Sequence, residues 1–302
     1  MIDITNCNLC ARHCGIDRTQ KKGFCRIDEN LYISTICIHK GEEPVLTGEK
    51  GVCNVFFDHC TLQCEYCQNY QISCNRYDMG NDRISLEECY SQIAKILDTG
   101  CNMLGFVSPT PYAHIIEKLA EMLAKNNYHP IIIYNTNGYD SVETIRSMKD
   151  IVDVYLPDYK YGSYELAKAL SKAEDYPDAA LEAIKEMVRQ KGTALKLDEN
   201  GLATSGVIVR HLVLPGQVEN SKSALLNLAT EISTDIPISL MSQYYPTYHA
   251  DKYPEMSRKI TSEEYAEVAH FMFSLGFDNG WTQEPESSEC YKPDFTEEKV
   301  FK

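Results

Sequence analysis

Cys60, Cys64 and Cys67 place three thiols within eight residues, directly after the apolar run Val55-Phe56-Phe57. C-x3-C-x2-C spacing at the end of a strand suits an iron–sulfur cubane. Three thiolates hold three irons and leave the fourth without a protein ligand, which makes it a position for chemistry. Structural zinc is the alternative, but it takes four ligands, and the fourth would have to be His59, Cys53 or Cys74. A second group, Cys7-x2-Cys10-x3-Cys14-x10-Cys25, supplies four thiols, with Gly15 and Gly23 permitting tight turns. Four thiolates complete a coordination sphere, so this is a closed site for zinc or an auxiliary 4Fe-4S cluster, and its loop-rich segment depends on metal to fold.

The chain carries thirteen cysteines in 302 residues. It starts with neither a basic nor an apolar leader, and no run approaches the roughly 18–20 apolar residues of a membrane span, so a cytoplasmic location is expected. In a reducing compartment an odd, clustered set of cysteines points to metal rather than disulfides. Cys37, Cys53, Cys74, Cys89, Cys101 and Cys290 lie scattered and read as small buried apolar residues. A net charge of -15 argues against nucleic acid and anionic membranes as partners. Residues 1–30 run against that charge, with five Lys/Arg and four Asp/Glu, a face that suits an acidic electron donor.

Residues 1–50 are turn-rich and form a cysteine-rich metal-binding segment; the remainder, 51–302, alternates apolar runs with amphipathic helices. The runs are 52–57, 103–107, 130–134, 152–156, 207–214 and 236–240, and helices are expected over 86–99, 112–127, 141–149, 178–191, 220–233 and 262–276. Ile131-Ile132-Ile133 and Val207-Ile208-Val209 are β-branched at successive positions, which predicts strands buried on both faces in a parallel sheet. The fold class is α/β, a partial (β/α)6 barrel with a C-terminal extension, and its chemistry belongs at the C-terminal ends of the strands.

Candidate residues fall at those ends. Ser108-Pro109-Thr110 follows the second run, Asn135-Thr136-Asn137-Gly138 the third, and Asp158-Tyr159-Lys160 the fourth. Asp158 and Lys160 alternate onto one side of the chain, which pairs their charges at the barrel mouth. Arg210 sits inside the fifth run, where a buried charge needs a partner, and its fork suits a carboxylate. His211 points the other way and reads as a satisfied core histidine. Leu240 to Pro246, into which the sixth run leads, are polar and aromatic enough to line a substrate mouth.

The stretch from Phe56 to Tyr70, with Tyr66 before the last cysteine, resembles the radical S-adenosylmethionine superfamily. Within it the chain is similar to the pyruvate formate-lyase activating enzyme group, from the N-terminal cysteines through at least Trp281. The resemblance implies an oxidoreductase with a 4Fe-4S cluster on Cys60, Cys64 and Cys67. Its open iron chelates S-adenosylmethionine, and one electron yields a 5'-deoxyadenosyl radical that abstracts hydrogen. It also implies that Tyr66, Ser108, Thr110, Asn135, Thr136, Asp158, Lys160 and Arg210 contact the cofactor, with Ser108 and Thr110 replacing a Gly-Gly-Glu segment. Asn135 stands where the family has Asp, which puts a monovalent-cation site in doubt. The implied partners are an electron donor such as flavodoxin or ferredoxin and a glycyl-radical protein. Modification of a peptide or small molecule is the alternative, and a structural zinc-binding interaction protein is the non-enzymatic one. Phosphate-loop, zinc-protease and nucleophile-elbow motifs do not occur.

Overall fold

The computed structural model describes residues 2–75, 83–284, 293–297 and 299–301. Cys290 lies outside them. The strands are β1 (Ile33–His39), β2 (Val52–Phe57), β3 (Met103–Val107), β4 (Ile131–Thr136), β5 (Val154–Pro157), β6 (Lys196–Leu197), β7 (Ala203–Val207), β8 (Val209–Leu212), β9 (Ile238–Met241) and β10 (Gly280–Thr282). β2, β3, β4 and β5 lie side by side in chain order, all parallel, and β8 and β9 continue the parallel arrangement. Those six are the expected barrel strands, and helices connect them. β10 adds a further parallel strand beyond β9, and β1 pairs antiparallel with β2 at the other edge.

One expectation is corrected. The run 207–214 is not a single strand. β7 pairs with β5 at Gly206 and Val207, whereas β8 pairs with β9. Ile208 donates its N–H to Tyr155 O (3.0 Å) at the break, and an Asp158–Arg210 bridge links the two sheets. The chain divides because its ends serve neighbours on opposite sides of a coiled sheet. The hairpin of β6 and β7 and the helix Tyr164–Ser171 carry no periodic signal long enough to read in sequence.

Period-two alternation sorts the strand residues into two sets. Cys53, Val55, Phe57, Leu104, Phe106, Ile132, Tyr134 and Tyr155 join the main core with the helices. Their alternates Val52, Met103, Ile133, Val154, Leu156 and Ile208 form a separate apolar cluster with Leu46, from the short helix Pro44–Thr47. Toward the C-terminal ends the same inner face turns polar, at Asn54, Asn135, Asp158 and Arg210. Gly105 is required there: a Cβ on it would lie 2.0 Å from Asn54 Oδ1. No helix among the described residues is long and apolar enough to cross a membrane.

Candidate active site

A cavity of about 220 Å³ opens at the C-terminal ends of the strands. Its lining includes Cys60, Cys64, Cys67, Tyr66, Ser108, Asn135, Thr136, Asp158, Lys160 and Arg210. Ten of the eleven residues expected around the barrel cluster and its cofactor therefore meet in one place. The exception is Thr110, which is buried behind the wall, its hydroxyl donating to Asp140 Oδ1 (2.7 Å). The expected hydroxyl contact there is corrected: Thr110, Thr136 and Tyr134 all donate to the buried Asp140, at 2.7, 2.5 and 3.0 Å. Burial raises the Asp140 carboxyl, and these hydroxyls oppose the shift.

The cysteine loop is held from several sides. Cys60 Sγ accepts from Leu62 N (3.4 Å) and from Asn137 Nδ2 (3.1 Å), and Asn137 also reaches Thr61 Oγ1 (2.9 Å). Cys64 Sγ accepts from Ser171 Oγ (3.0 Å), whose hydroxyl lies 2.6 Å from Tyr161 Oη, itself 2.8 Å from Tyr66 Oη. Burial raises all three thiols, Cys64 to about 11, against a lowering pull from Lys160. The metal-free thiols are therefore protonated at neutral pH, and loading a cluster must expel protons. Three soft ligands from one short loop, facing one cavity, fit a cluster with an open position. Among the described residues no group of three or more His, Cys, Asp or Glu is spaced to hold a metal ion.

Lys160 Nζ pairs with Asp158 Oδ2 beside the thiols, as the alternation predicts. Burial opposes the ammonium charge, but Asp158 and the thiols outweigh it and raise Lys160 above its ordinary value. Tyr176 Oη locks this strand end, 2.8 Å from the carbonyls of Asn137 and Asp158 and 3.0 Å from Lys160 N. Gly138, at φ +82°, allows that approach: a Cβ there would lie 2.3 Å from Asp158 O. Gly138→Ala should destabilise the fold by more than about 1 kcal/mol, measured by denaturant unfolding.

Arg210 is partnered more fully than its sequence position indicated. Its Nε and Nη2 donate to Glu43 (2.8 and 2.7 Å), and Nη2 also pairs with Glu42. Glu42 Oε1 accepts from Asn54 Nδ2 (2.7 Å). Glu42 and Glu43 are not among the sequence candidates, and Asn137 is there only as part of the turn after β4. Asn137 was legible in the polar turn after β4, whereas nothing in Gly41-Glu42-Glu43-Pro44 points to a residue 167 positions away.

His211 is a core histidine, with Nδ1 2.6 Å from Tyr159 O and Nε2 2.9 Å from Ser221 Oγ. Burial pushes it down to about 4, against 6.5 when exposed. The unfolded chain then binds the proton first, so stability is full above pH 6.5 and falls as pH drops toward 4. The slope is at most about 1.4 kcal/mol per pH unit. His114, pushed down to about 3 by burial and Arg18, acts in the same direction. Unfolding free energies from pH 7 to 4.5 should show a shallower fall in His211→Asn than in the parent.

The mouth differs in part from expectation. Met241 and Gln243 line the cavity. Ser242 and Tyr244 turn away, bonding Glu284 O (2.7 Å) and Met256 O (2.6 Å). Pro293 and Phe301 complete the lining. Phe295 and Phe301 pack on Phe56, each with ring centroids 5.5 Å away, and Gln71 bonds Asp294 Oδ1 (3.1 Å) and Phe295 N (2.9 Å).

Cys7, Cys10, Cys14 and Cys25 line a separate small cavity, with Arg12, Arg18 and Thr61 in its wall. Cys7 and Gly15 are tied by Cys7 N–Ile16 O (2.8 Å) and Gly15 N–Cys7 O (2.9 Å). Burial raises Cys25, and Arg18 pulls it back.

A sequence model of the Radical SAM superfamily matches residues 54–229. An uncharacterized protein of Methanocaldococcus jannaschii, MJ0674, is 31% identical over 263 residues, covering 86% of this chain and 72% of its own. SuiB of Streptococcus suis, solved with its precursor peptide SuiA, superposes with a TM-score of 0.51 at 11% identity, over 76% of this chain and 48% of SuiB. The [FeFe]-hydrogenase maturase HydG gives 0.48 at 13%, over 76% of this chain and 51% of HydG. The chain thus spans about half the length of either enzyme, and SuiB supports the fold alone. The match over more than half of the sequence, from β2 to the helix after β8, places the chain in the radical SAM superfamily, enzymes that cleave S-adenosylmethionine reductively at a 4Fe-4S cluster.

Proposed function

We propose that this enzyme abstracts a hydrogen atom from a protein substrate, in the manner of the pyruvate formate-lyase activating enzymes acting on a glycyl-radical partner. The supporting observation is the convergence of three thiols, the Asp158–Lys160 pair and the polar strand ends in one cavity. When bound, the cluster supplies the electron that breaks a sulfur–carbon bond of the cofactor, and the protein supplies everything else. Cys60, Cys64 and Cys67 hold the irons. Ser108, Asn135 and Thr136 offer hydroxyl, amide and backbone groups to the cofactor, and Lys160 offers a charge that Asp158 keeps in place. Arg210, fixed on Glu42 and Glu43 through Nε and Nη2, can present Nη1 to a carboxylate. Phe56, Val107, Leu212 and Met241 keep water from the reacting end.

The strip formed by residues 293–297 and 299–301 supports a peptide-like substrate, because it is itself a peptide accommodated at the mouth. It serves equally the second reading, radical modification of another peptide. Flavodoxin or ferredoxin is the proposed donor, the cytoplasm the proposed compartment, and the N-terminal cysteines a second metal site, zinc or 4Fe-4S.

Anaerobically reconstituted protein given dithionite and S-adenosylmethionine should form 5'-deoxyadenosine. A glycyl-radical partner deuterated at its glycine should pass deuterium into that product. Iron-replete protein that forms no 5'-deoxyadenosine overturns the reading. Formation without deuterium transfer removes the glycyl-radical partner and leaves the peptide alternative.

A further inference from the structure

Arg18 is a buried cation with no acidic partner among the described residues. It is 1% exposed, and its guanidinium donates only to backbone carbonyls: Nε and Nη2 to Asp28 O (3.1 and 2.6 Å), Nη1 to Pro111 O (2.6 Å). The Asp28 carboxylate is engaged elsewhere, by Asn30 and Tyr32. Among the described residues no carboxylate forms an ion pair with Arg18. A buried charge of this kind is costly unless an anion faces it. What faces it is the cavity of Cys7, Cys10, Cys14 and Cys25, which Arg18 helps to line. Four thiolates around zinc or an oxidised 4Fe-4S core make a net dianion, the counter-charge that this arginine lacks.

Arg12 adds a second observation, and it concerns where the site leads. It lies between two of the four cysteines and sits over the Phe24 ring, 3.9 Å from its centroid. Its Nε donates to Thr61 O (3.2 Å), its Nη2 to Ser171 O (3.3 Å) and its Nη1 to Lys172 O. Thr61 is the residue after Cys60, and it also walls the N-terminal cavity. Ser171 is the residue whose hydroxyl bonds Cys64 Sγ (3.0 Å). One side chain from the N-terminal group thus holds the covalent neighbour of one barrel thiol and the hydrogen-bond donor of another. A zinc site would gain nothing from that connection, since zinc does not change oxidation state.

We propose that Cys7, Cys10, Cys14 and Cys25 hold a redox-active 4Fe-4S cluster that relays single electrons to the barrel cluster through Arg12, Thr61 and Ser171. This rests on the radical reading above, in that the barrel cluster is the acceptor. The balance is one electron: it leaves a low-potential donor protein, resides on the N-terminal cluster and passes to the barrel cluster, with no proton transferred. Arg18 raises the potential of the N-terminal cluster by stabilising its reduced, more anionic state.

The test uses the full chain, reconstituted anaerobically. Iron and zinc analysis should give about eight irons and no zinc in the parent. About four should remain in the double variant Cys10→Ala/Cys14→Ala, and about four in Cys64→Ala, the latter with the electron paramagnetic resonance signal of a reduced 4Fe-4S cluster. Arg12→Gln keeps every ligand, so it tests the relay even if the double variant fails to fold. Its ratio of flavodoxin-driven to dithionite-driven cofactor cleavage should fall at least tenfold with iron content unchanged. Arg18→Met should lower the potential of the N-terminal signal in the Cys64→Ala background. Zinc in place of the second four irons overturns the proposal, as does an unchanged ratio in Arg12→Gln. Failure of cleavage under dithionite in the iron-replete parent instead overturns the radical reading beneath it.

Discussion

Cys64→Ala should abolish S-adenosylmethionine cleavage, with 5'-deoxyadenosine falling at least about a thousandfold, because two thiols cannot retain a cluster that three hold open. The fold should survive the change. Burial keeps the Cys64 thiol neutral in the metal-free protein, raised to about 11, so its removal strands no charge. Far-ultraviolet circular dichroism and the unfolding midpoint of the metal-free variant should match the parent closely. Cys74→Ala is the informative control. Cys74 is buried nearby, in a small cavity shared with the three barrel thiols, and lies 3.1 Å from Tyr248 Oη. It falls outside the C-x3-C-x2-C spacing, so iron content and product should persist. Loss of iron from Cys74→Ala to the same extent as from Cys64→Ala would assign the ligands differently.

The largest stability effect is expected at Arg210→Met. Glu43 is buried, the Glu42 side chain is only 8% exposed, and Arg210 is their shared cation. Burial pushes the Glu42 carboxyl up, but Arg210 and then His39 outweigh it and hold it below its ordinary value. Removing the cation leaves two buried carboxylates facing each other, at a cost of about 3–5 kcal/mol. For a chain of this size the melting temperature should drop by roughly 10 °C. The loss should shrink as pH falls through the carboxylate range, because the stranded groups protonate. The triple variant Glu42→Gln/Glu43→Gln/Arg210→Met should recover much of it. If Arg210 served only a bound cofactor, Arg210→Met would leave metal-free stability intact and raise KM alone. Thermal unfolding of the metal-free protein separates the two roles.

The legible parts of the site are those that the chain brings together over short distances. Eight residues contain the three thiols, and a two-residue alternation pairs Asp158 with Lys160. Strand ends could be counted because β2, β3, β4, β5 and β9 are short apolar runs. What escaped is long-range or depends on competition for hydrogen bonds. Glu42 and Glu43 sit in a segment without periodicity, and only the folded barrel brings them to Arg210. Thr110 has the right chemistry for a cofactor, but Asp140 takes its hydroxyl. Tyr244 looked like a mouth residue until its ring packed toward Tyr66, with centroids 6.1 Å apart.

The reach of Arg12 also bears on how the protein is made. Its partners Ser171 and Lys172 lie 159 and 160 positions later in the chain. At ribosomal speeds of about 5–20 residues per second, roughly 8–30 s separate their synthesis from its own. During that interval Arg12, which lines the cavity of the four N-terminal thiols, lacks its Ser171 and Lys172 carbonyl partners, and stray metals or oxidants can reach those thiols. Folding of the chain through Lys172, rather than emergence of the ligands, therefore sets the earliest moment at which Arg12 can pin this segment in place.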